Sequence, residues 1–116
     1  MKTNDKIETL NLPPAETIEL GGIVSYQDDS IVSRTLIKKK SGTITLFAFG
    51  AGQSLSEHTV PYHAFVQVLD GEVELVIGSK SVLAKAGQTV VMPAGVPHSV
   101  HAKNRFKMLL TMIRQV

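Results

Sequence analysis

Short runs of β-branched and aromatic residues, separated by glycine turns, limit this chain to an antiparallel β structure. Residues 43–49, 65–69 and 72–77 form such runs, and Asp70-Gly71 between the last two is a typical hairpin turn. Four turn glycines follow one another at intervals of 7, 9 and 8 residues: Gly71, Gly78, Gly87 and Gly95. No stretch keeps the apolar period of about 3.6 residues that marks an amphipathic helix. The pattern predicts an all-β sandwich or barrel.

The length of 116 residues allows one compact domain with a single hydrophobic core. Hydrophobic residues make up 43% of the chain and charged residues 19%, which is typical of globular and not of disordered proteins. Residues 1–15 contain Pro13-Pro14 and show no period, so we expect them to form an extended N-terminal arm. Residues 16–116 are predicted to form the single domain.

The charge balance and the absence of cysteine exclude several classes of partner and site. Twelve Lys and Arg residues against ten Asp and Glu residues give a net charge of +2, which does not predict nucleic-acid binding. Without cysteine, any metal must be bound by nitrogen or oxygen. Residues 1–6 lead into no signal-peptide core, and no apolar run approaches about 18 residues. We therefore expect a cytoplasmic protein that does not contact membranes.

The last predicted strand, residues 106–113, carries large apolar side chains at both of its alternating positions. Burial on both faces is therefore expected. The outer face has two candidate covers, the N-terminal arm or a second subunit, and an uncovered β edge would promote aggregation. We expect a homodimer.

The candidate functional residues lie in two sequence blocks that contain glycine and histidine. The first begins at Gly52 and reaches His58 six residues later, and Gly71 closes the hairpin that follows. The second block has glycine, proline, glycine and histidine at fixed spacing: Gly87, Pro93, Gly95 and His98. Together the blocks resemble the two signature motifs of the cupin superfamily, and the resemblance spans roughly residues 46–113.

The resemblance implies both a fold and the position of a site. It implies a small single-domain cupin, an all-β jelly-roll (double-stranded β-helix) barrel with a short N-terminal arm, in which His58 and His98 point into one mouth. The first block departs from the family pattern at Val60, where a second histidine is expected, and at Ala64, where a glutamate is expected. Ala102 replaces the asparagine of the second motif.

A third ligand decides whether this site is complete, because two imidazoles hold a metal ion weakly. His63 is the leading candidate, since Pro61 prevents a regular ladder and a bulge there would turn His63 inward. Gln67 would then follow His63 into the pocket as a ligand-binding residue. In the other register, which follows the family motif, Ala64 faces the pocket while His63 and Gln67 face away. Both registers are compatible with the sequence.

The first predicted function is a divalent-metal site, Zn, Ni, Fe or Mn, held by His58, His63 and His98. Neutral imidazoles leave the double charge of the ion uncompensated, which favours a small anionic or chelating ligand such as a hydroxy acid or a dicarbonyl. The family resemblance implies metal-dependent dioxygenase or isomerase activity. Isomerisation needs a general base, and Glu57, the nearest carboxylate, is predicted to point outward. Whether the protein is an enzyme stays open.

Two other functions fit the same residues. In one, the barrel binds a small polar molecule without metal, through hydrogen bonds from His58, His98 and Gln67, and the missing family glutamate agrees with this interpretation. In the other, the site is degenerate and the domain serves as an interaction module through its long outer sheet.

Overall fold

The structure is a computed structural model, and it describes residues 9–114 as ten strands and one short 3-10 helix at Leu20–Gly22. The strands are β1 (Thr9–Leu10), β2 (Ile31–Lys39), β3 (Gly42–Phe49), β4 (Ser54–His58), β5 (Tyr62–Asp70), β6 (Glu72–Ile77), β7 (Lys80–Lys85), β8 (Thr89–Met92), β9 (His98–His101) and β10 (Phe106–Arg114). The predicted all-β class is confirmed. Within residues 9–114, no helix is long and apolar enough to cross a membrane.

The strands form two antiparallel sheets. The large sheet has the order β1-β2-β3-β10-β5-β8, and the small sheet has the order β4-β9-β6-β7. From β3 onward the chain passes repeatedly between the two sheets, which is the connectivity expected of a jelly roll. The predicted jelly-roll architecture is therefore confirmed.

The main core lies between the sheets and is built by strand alternation. In β5, Ala64, Val66 and Val68 are buried, and in β6 the buried residues are Val73 and Leu75. At one end, which we call the phenylalanine end, the rings of Phe49 and Phe106 are both fully buried with centroids 4.7 Å apart. The turn at Asp70-Gly71 joins β5 to β6 and closes this end. The two strands lie in different sheets and do not pair, which corrects the expectation of a hairpin there.

A second hydrophobic cluster covers part of the outer face of the large sheet, the face turned away from the main core. Leu46 and Ala48 of β3 and Leu109 of β10 pack there against the segment of residues 12–26. Lys107 Nζ donates a hydrogen bond to the carbonyl of Gly21 at 2.6 Å, and the hydroxyl of Tyr26 donates one to Asp70 at 2.5 Å. The N-terminal segment thus covers the outer side of β10 at Lys107 and Leu109, while the inner side of the strand faces the main core.

Candidate functional site

Two of the predicted site residues lie side by side at the end of the barrel opposite the phenylalanine end. His58 ends β4 and His98 begins β9, and the two residues are cross-strand partners. Their ring centroids are 4.4 Å apart and the ring planes meet at 65°. We call this end, defined by His58 and His98, the histidine end.

A bulge in β4 turns His58 toward the interior. Leu55 pairs with Val100, and a regular ladder would then place Glu57 opposite His98. Instead the register shifts by one residue, so that His58 takes that position and Glu57 is exposed. An extra residue in one strand reverses which side chains face the interior beyond it. Leu55 and His58 therefore share a face although three positions separate them.

Backbone carbonyls hold both imidazoles in the same tautomer. Nδ1 of His58 lies 2.9 Å from the carbonyl oxygen of Ser56, and Nδ1 of His98 lies 3.3 Å from that of Val96. A carbonyl oxygen only accepts, so each Nδ1 carries the proton and donates it. Each Nε2 then keeps a free lone pair, which is the arrangement of histidines that ligate metals.

Burial differs between the two histidines. His98 is 4% exposed, whereas His58 is exposed at the end of its strand. Burial lowers the pKa of His98 below its usual value of 6.5, and the neighbouring His58 lowers it further, against the opposite effect of the Val96 carbonyl. His98 is therefore a neutral imidazole at neutral pH.

His63 lies on the outer face of β5, away from the His58 and His98 pair. It is exposed, and its Nδ1 accepts a hydrogen bond from the backbone N–H of Ala94 at 3.2 Å. Ala94 belongs to the loop that leads into His98, and the same loop is joined to Val60 through the N–H of Gly95. His63 thus holds the loop that precedes β9.

Gln67 shares the outer face with His63. It is half-buried and pairs with Leu109 and Thr89 of the neighbouring strands. Of the two registers compatible with the sequence, the structure has the one in which Ala64 is buried and faces the main core. This corrects the expectation that a bulge after Pro61 turns His63 and Gln67 into the pocket, because β5 pairs regularly with β10 from residue 62 to residue 68.

The structure brings together two of the four predicted site residues, His58 and His98. Within residues 9–114, no three His, Asp or Glu side chains form a group that could hold a metal ion. The available donors are therefore two imidazole nitrogens on adjacent strands.

A row of residues from the large sheet also lies at the histidine end. This row was not predicted from the sequence as part of the site. The loops after His58 and before His98 join the two sheets here. The row consists of cross-strand partners on four strands: Thr43, Met112, Ala64 and Met92. In the described part of the chain, Oγ1 of Thr43 is buried without a hydrogen-bond partner. The sequence holds a signal for Thr43: it is separated by an even number of residues from Phe47 and Phe49, which pack in the interior, so it lies on the same face of β3.

His101 lies on the outer face of the small sheet, opposite in direction to His98. Its Nε2 is 2.9 Å from Oγ of Ser99, and it pairs with Ser54 and Glu74 in the ladder. His101, Ser54 and Glu74 line a cleft of about 580 Å³ that does not include His58 or His98. His101 is therefore a natural control for experiments on the histidine pair.

Comparison with protein families and solved structures agrees with this geometry. The family model described as the cupin domain matches residues 45–113. A conserved protein of unknown function from Streptococcus pyogenes is 35% identical, with a TM-score of 0.87, and the match covers 91% of this chain and 93% of that chain.

Two further structures are similar over most of this chain. A cupin superfamily protein from Desulfitobacterium hafniense is 25% identical with a TM-score of 0.85, covering 90% of this chain and 96% of that one. A Cupin 2 conserved barrel domain protein from Leptotrichia buccalis is 38% identical with a TM-score of 0.81, covering 84% of this chain and 47% of that one. None of the curated proteins compared with the chain matches it.

Proposed function

The chain belongs to the cupin family, and we propose that it binds a divalent metal ion through His58 and His98 together with a small anionic chelating molecule. The observation that carries this proposal is the shared tautomer of the two imidazoles. Both Nδ1 atoms lie against backbone carbonyls, which leaves two Nε2 lone pairs on rings 4.4 Å apart. Two such nitrogens on adjacent strands are a bidentate donor set for one ion.

The donor set fits an ion whose remaining coordination positions are open. Ordinary catalytic zinc sites have three protein ligands and water. Here Val60 and Ala64 stand at two positions where the family pattern has ligands, so exogenous donors would complete the shell. Imidazole ligands suit Zn, Fe and Ni, and Mn belongs to the same proposed range.

The charge of this site favours an anionic ligand. Two neutral imidazoles leave the double charge of the ion uncompensated, and Glu57, the carboxylate next to His58, is exposed beyond the bulge. A chelating anion such as a hydroxy acid or the enolate of a 1,3-dicarbonyl would supply both the charge and two oxygen donors. Met92 and Met112 at the same end would contact its apolar part.

Binding is supported better than catalysis by this arrangement. An isomerase would need a general base, and the position of Glu57 does not supply one to the histidine end. Dioxygenase chemistry would require a redox-active ion in the same site. Assays for isomerase or dioxygenase activity are therefore worthwhile only once the bound ion has been identified.

Metal-free binding is the second candidate function, and one observation favours it. Aliphatic residues replace the two family ligands, and Ala64 is fully buried among the apolar residues of the main core. In that case the two histidines would hydrogen-bond a small polar molecule directly.

Elemental analysis of untagged protein tests the metal proposal. We expect about one metal ion per chain in the wild type and in His101→Ala, and loss of that ion in His58→Ala and His98→Ala. His101→Ala is the matched control because it removes a histidine from the same strand as His98. Equal metal content in all four proteins, or no metal after reconstitution with Zn, Ni, Fe or Mn, would contradict metal binding by the pair.

Calorimetric titration then separates the two candidate functions. Acetylacetonate and glycolate, a 1,3-dicarbonyl and a hydroxy acid, should bind the metal-loaded protein and not the protein stripped with a chelator. Equal affinity for both forms would favour metal-free binding.

A further inference from the structure

The hydroxyl of Thr43 is a buried polar group that the proposed function leaves unused. Across residues 9–114, its Oγ1 is the one buried side-chain oxygen or nitrogen that has no hydrogen-bond partner. Phe47 and Phe49 lie on the same face of β3 and pack in the main core, so Thr43 belongs to the inner face. A buried hydroxyl without a partner costs free energy, and native proteins pair nearly all such groups. A bound molecule would supply the missing partner.

Short connections determine which strands of the two sheets face each other, and they place Thr43 opposite His58. Four residues join β3 to β4, and Gly71 alone joins β5 to β6, so each of these pairs of strands lies face to face across the barrel. Ala64 lies seven residues before Gly71 and Ile77 lies six residues after it, so these two residues are at about the same level. Thr43 shares the row of Ala64, and His58 shares the row of Ile77. Because packed sheets are about 10 Å apart, the side chains of Thr43 and His58 approach the same space.

The charged side chains around this space are cationic. Lys38 is the cross-strand partner of Thr43, and Lys80 is the partner of Ile77, so each lysine extends one of the two rows. Arg114 ends β10 at the same end of the barrel. The loops that join strands at this end contain no Asp or Glu: residues 40–41, 59–61, 78–79 and 93–97. A mouth with this distribution of charge attracts anions.

We propose that the anionic molecule bound here is a hydroxy dicarboxylic acid, whose second carboxylate accepts a hydrogen bond from Thr43 beside the ammonium group of Lys38. The inference rests on the proposed function and adds the class of the acid and the residues that select it. The hydroxyl and first carboxylate of such an acid form its chelating end. The second carboxylate supplies the acceptor that Oγ1 of Thr43 lacks, and cross-strand neighbours such as Lys38 lie within about 5 Å of each other at Cβ. A monocarboxylic hydroxy acid has no group for this position.

Calorimetric titration with malate and with 2-hydroxyisocaproate tests the inference. The two acids have the same chelating end and nearly the same shape, but the second has an isopropyl group in place of the second carboxylate. The measured quantity is the ratio of the two affinities, compared between wild type and variants, so that intrinsic differences in chelation cancel. We expect the wild type to bind malate more tightly.

Thr43→Val keeps the shape of the side chain and removes the hydroxyl. The affinity ratio should fall by about 10-fold or more, as for the loss of a hydrogen bond to a charged group. Lys38→Met should lower the ratio by about 3-fold, because an exposed charge contributes less and is screened by salt. Lys85→Met is the control, since it removes the same charge beside Glu72 at the phenylalanine end and should leave the ratio unchanged.

A second measurement needs neither metal nor acid. In urea unfolding of the metal-free protein, Thr43→Val should unfold at the same urea concentration as the wild type or at a higher one, because valine replaces an unpaired buried hydroxyl. A lower midpoint would overturn the inference, since it would mean that the hydroxyl has a partner within the protein.

The titrations separate failure of this inference from failure of the proposed function. If both acids bind and the affinity ratio is equal in the wild type and Thr43→Val, the selection by Thr43 is contradicted and the proposed function stands. If neither acid binds to the metal-loaded or the metal-free wild type, both proposals are overturned.

Discussion

The two ends of the barrel use the same strands for different purposes. In β9, His98 lies at one end and Val100 continues into the main core, and in β6 Ile77 and Leu75 occupy the corresponding positions. At the phenylalanine end the buried groups are aromatic and aliphatic, and a tight turn at Asp70-Gly71 joins the two sheets. At the histidine end the backbone carbonyls of Ser56 and Val96 hold the imidazoles of His58 and His98. Stability and chemistry are therefore separated along each strand, about 10 to 15 Å apart at about 3.3 Å per residue.

Truncation of a phenylalanine should give the largest effect on stability. Phe106→Ala removes a fully buried ring that contacts Phe49, and the expected loss in the free energy of unfolding is about 3–5 kcal/mol. Urea unfolding monitored by circular dichroism measures it. Metal content at low urea should stay at the wild-type level, because the ring lies at the other end. A loss of metal in the folded variant would show that the two ends are coupled.

The second-largest effect on stability concerns the turn at Gly71, which closes the phenylalanine end. Gly71 has a φ of +77°, and a Cβ there would press on the carbonyl oxygen of Arg105 and the Cβ of Phe106. Gly71→Ala should destabilise by about 2–3 kcal/mol, through backbone strain and overlap together. Gly52→Ala is the matched control, because Gly52 has a φ of +82° and open space around it. Its expected loss is about 1 kcal/mol, from strain alone. Equal losses would show that the overlap relaxes without penalty.

Much of the phenylalanine end can be predicted from sequence, because its signals are local. The Asp70-Gly71 sequence between two β-branched runs predicts a tight turn, and Gly71 indeed has positive φ. The hairpin expected from the same signal was wrong, because β5 and β6 enter different sheets. The resemblance of the two glycine and histidine blocks to the cupin motifs likewise implies that His58 and His98 meet at one mouth of the jelly roll. The packing of the N-terminal segment cannot be predicted in this way. The second hydrophobic cluster, to which it contributes, depends on the outer face of a sheet formed by residues distant in the sequence.

The facing of side chains at the histidine end cannot be predicted in the same way. Residues 64–69 have apolar side chains at both alternating positions, so periodicity does not select between Ala64 and His63 as the inward residue. The pairing of β5 with β10 decides it, by placing Met108, Leu110 and Met112 beside the inward set. The bulge that turns His58 inward cannot be predicted from the sequence either, because it is defined only by the register of β4 against β9.

His63→Ala should reduce stability less than the glycine substitution does. It also tests directly whether His63 faces outward. The substitution removes the acceptor for the N–H of Ala94, so the expected loss of stability is about 0.5–1.5 kcal/mol. Metal content should match that of the wild type, because His63 lies on the outer face. Loss of metal equal to that in His98→Ala would identify His63 as a ligand and contradict the observed register.

The smallest expected effect is the pH dependence of stability that His98 contributes. It is specific to the histidine end, because an imidazole titrates and the phenyl rings of the other end do not. Burial lowers the pKa of His98 below 6.5 in the native protein. The unfolded chain therefore binds a proton at a higher pH than the native protein does. The contribution of His98 to stability is complete above about pH 6.5 and is lost as the pH falls through the lower native value.

Urea unfolding of metal-free wild type and His98→Gln between pH 8 and pH 5 isolates this contribution, because most other titrating groups are common to both proteins. The wild type should lose more stability than the variant on acidification. In metal-loaded wild type the loss should be steeper, since an ion held by neutral imidazoles must be displaced by protons. If acidification stabilised the wild type relative to the variant, the native protein would bind a proton on His98 more tightly than the unfolded chain. That result would contradict the lowering of the His98 pKa by burial, and with it the argument that burial keeps this ligand neutral.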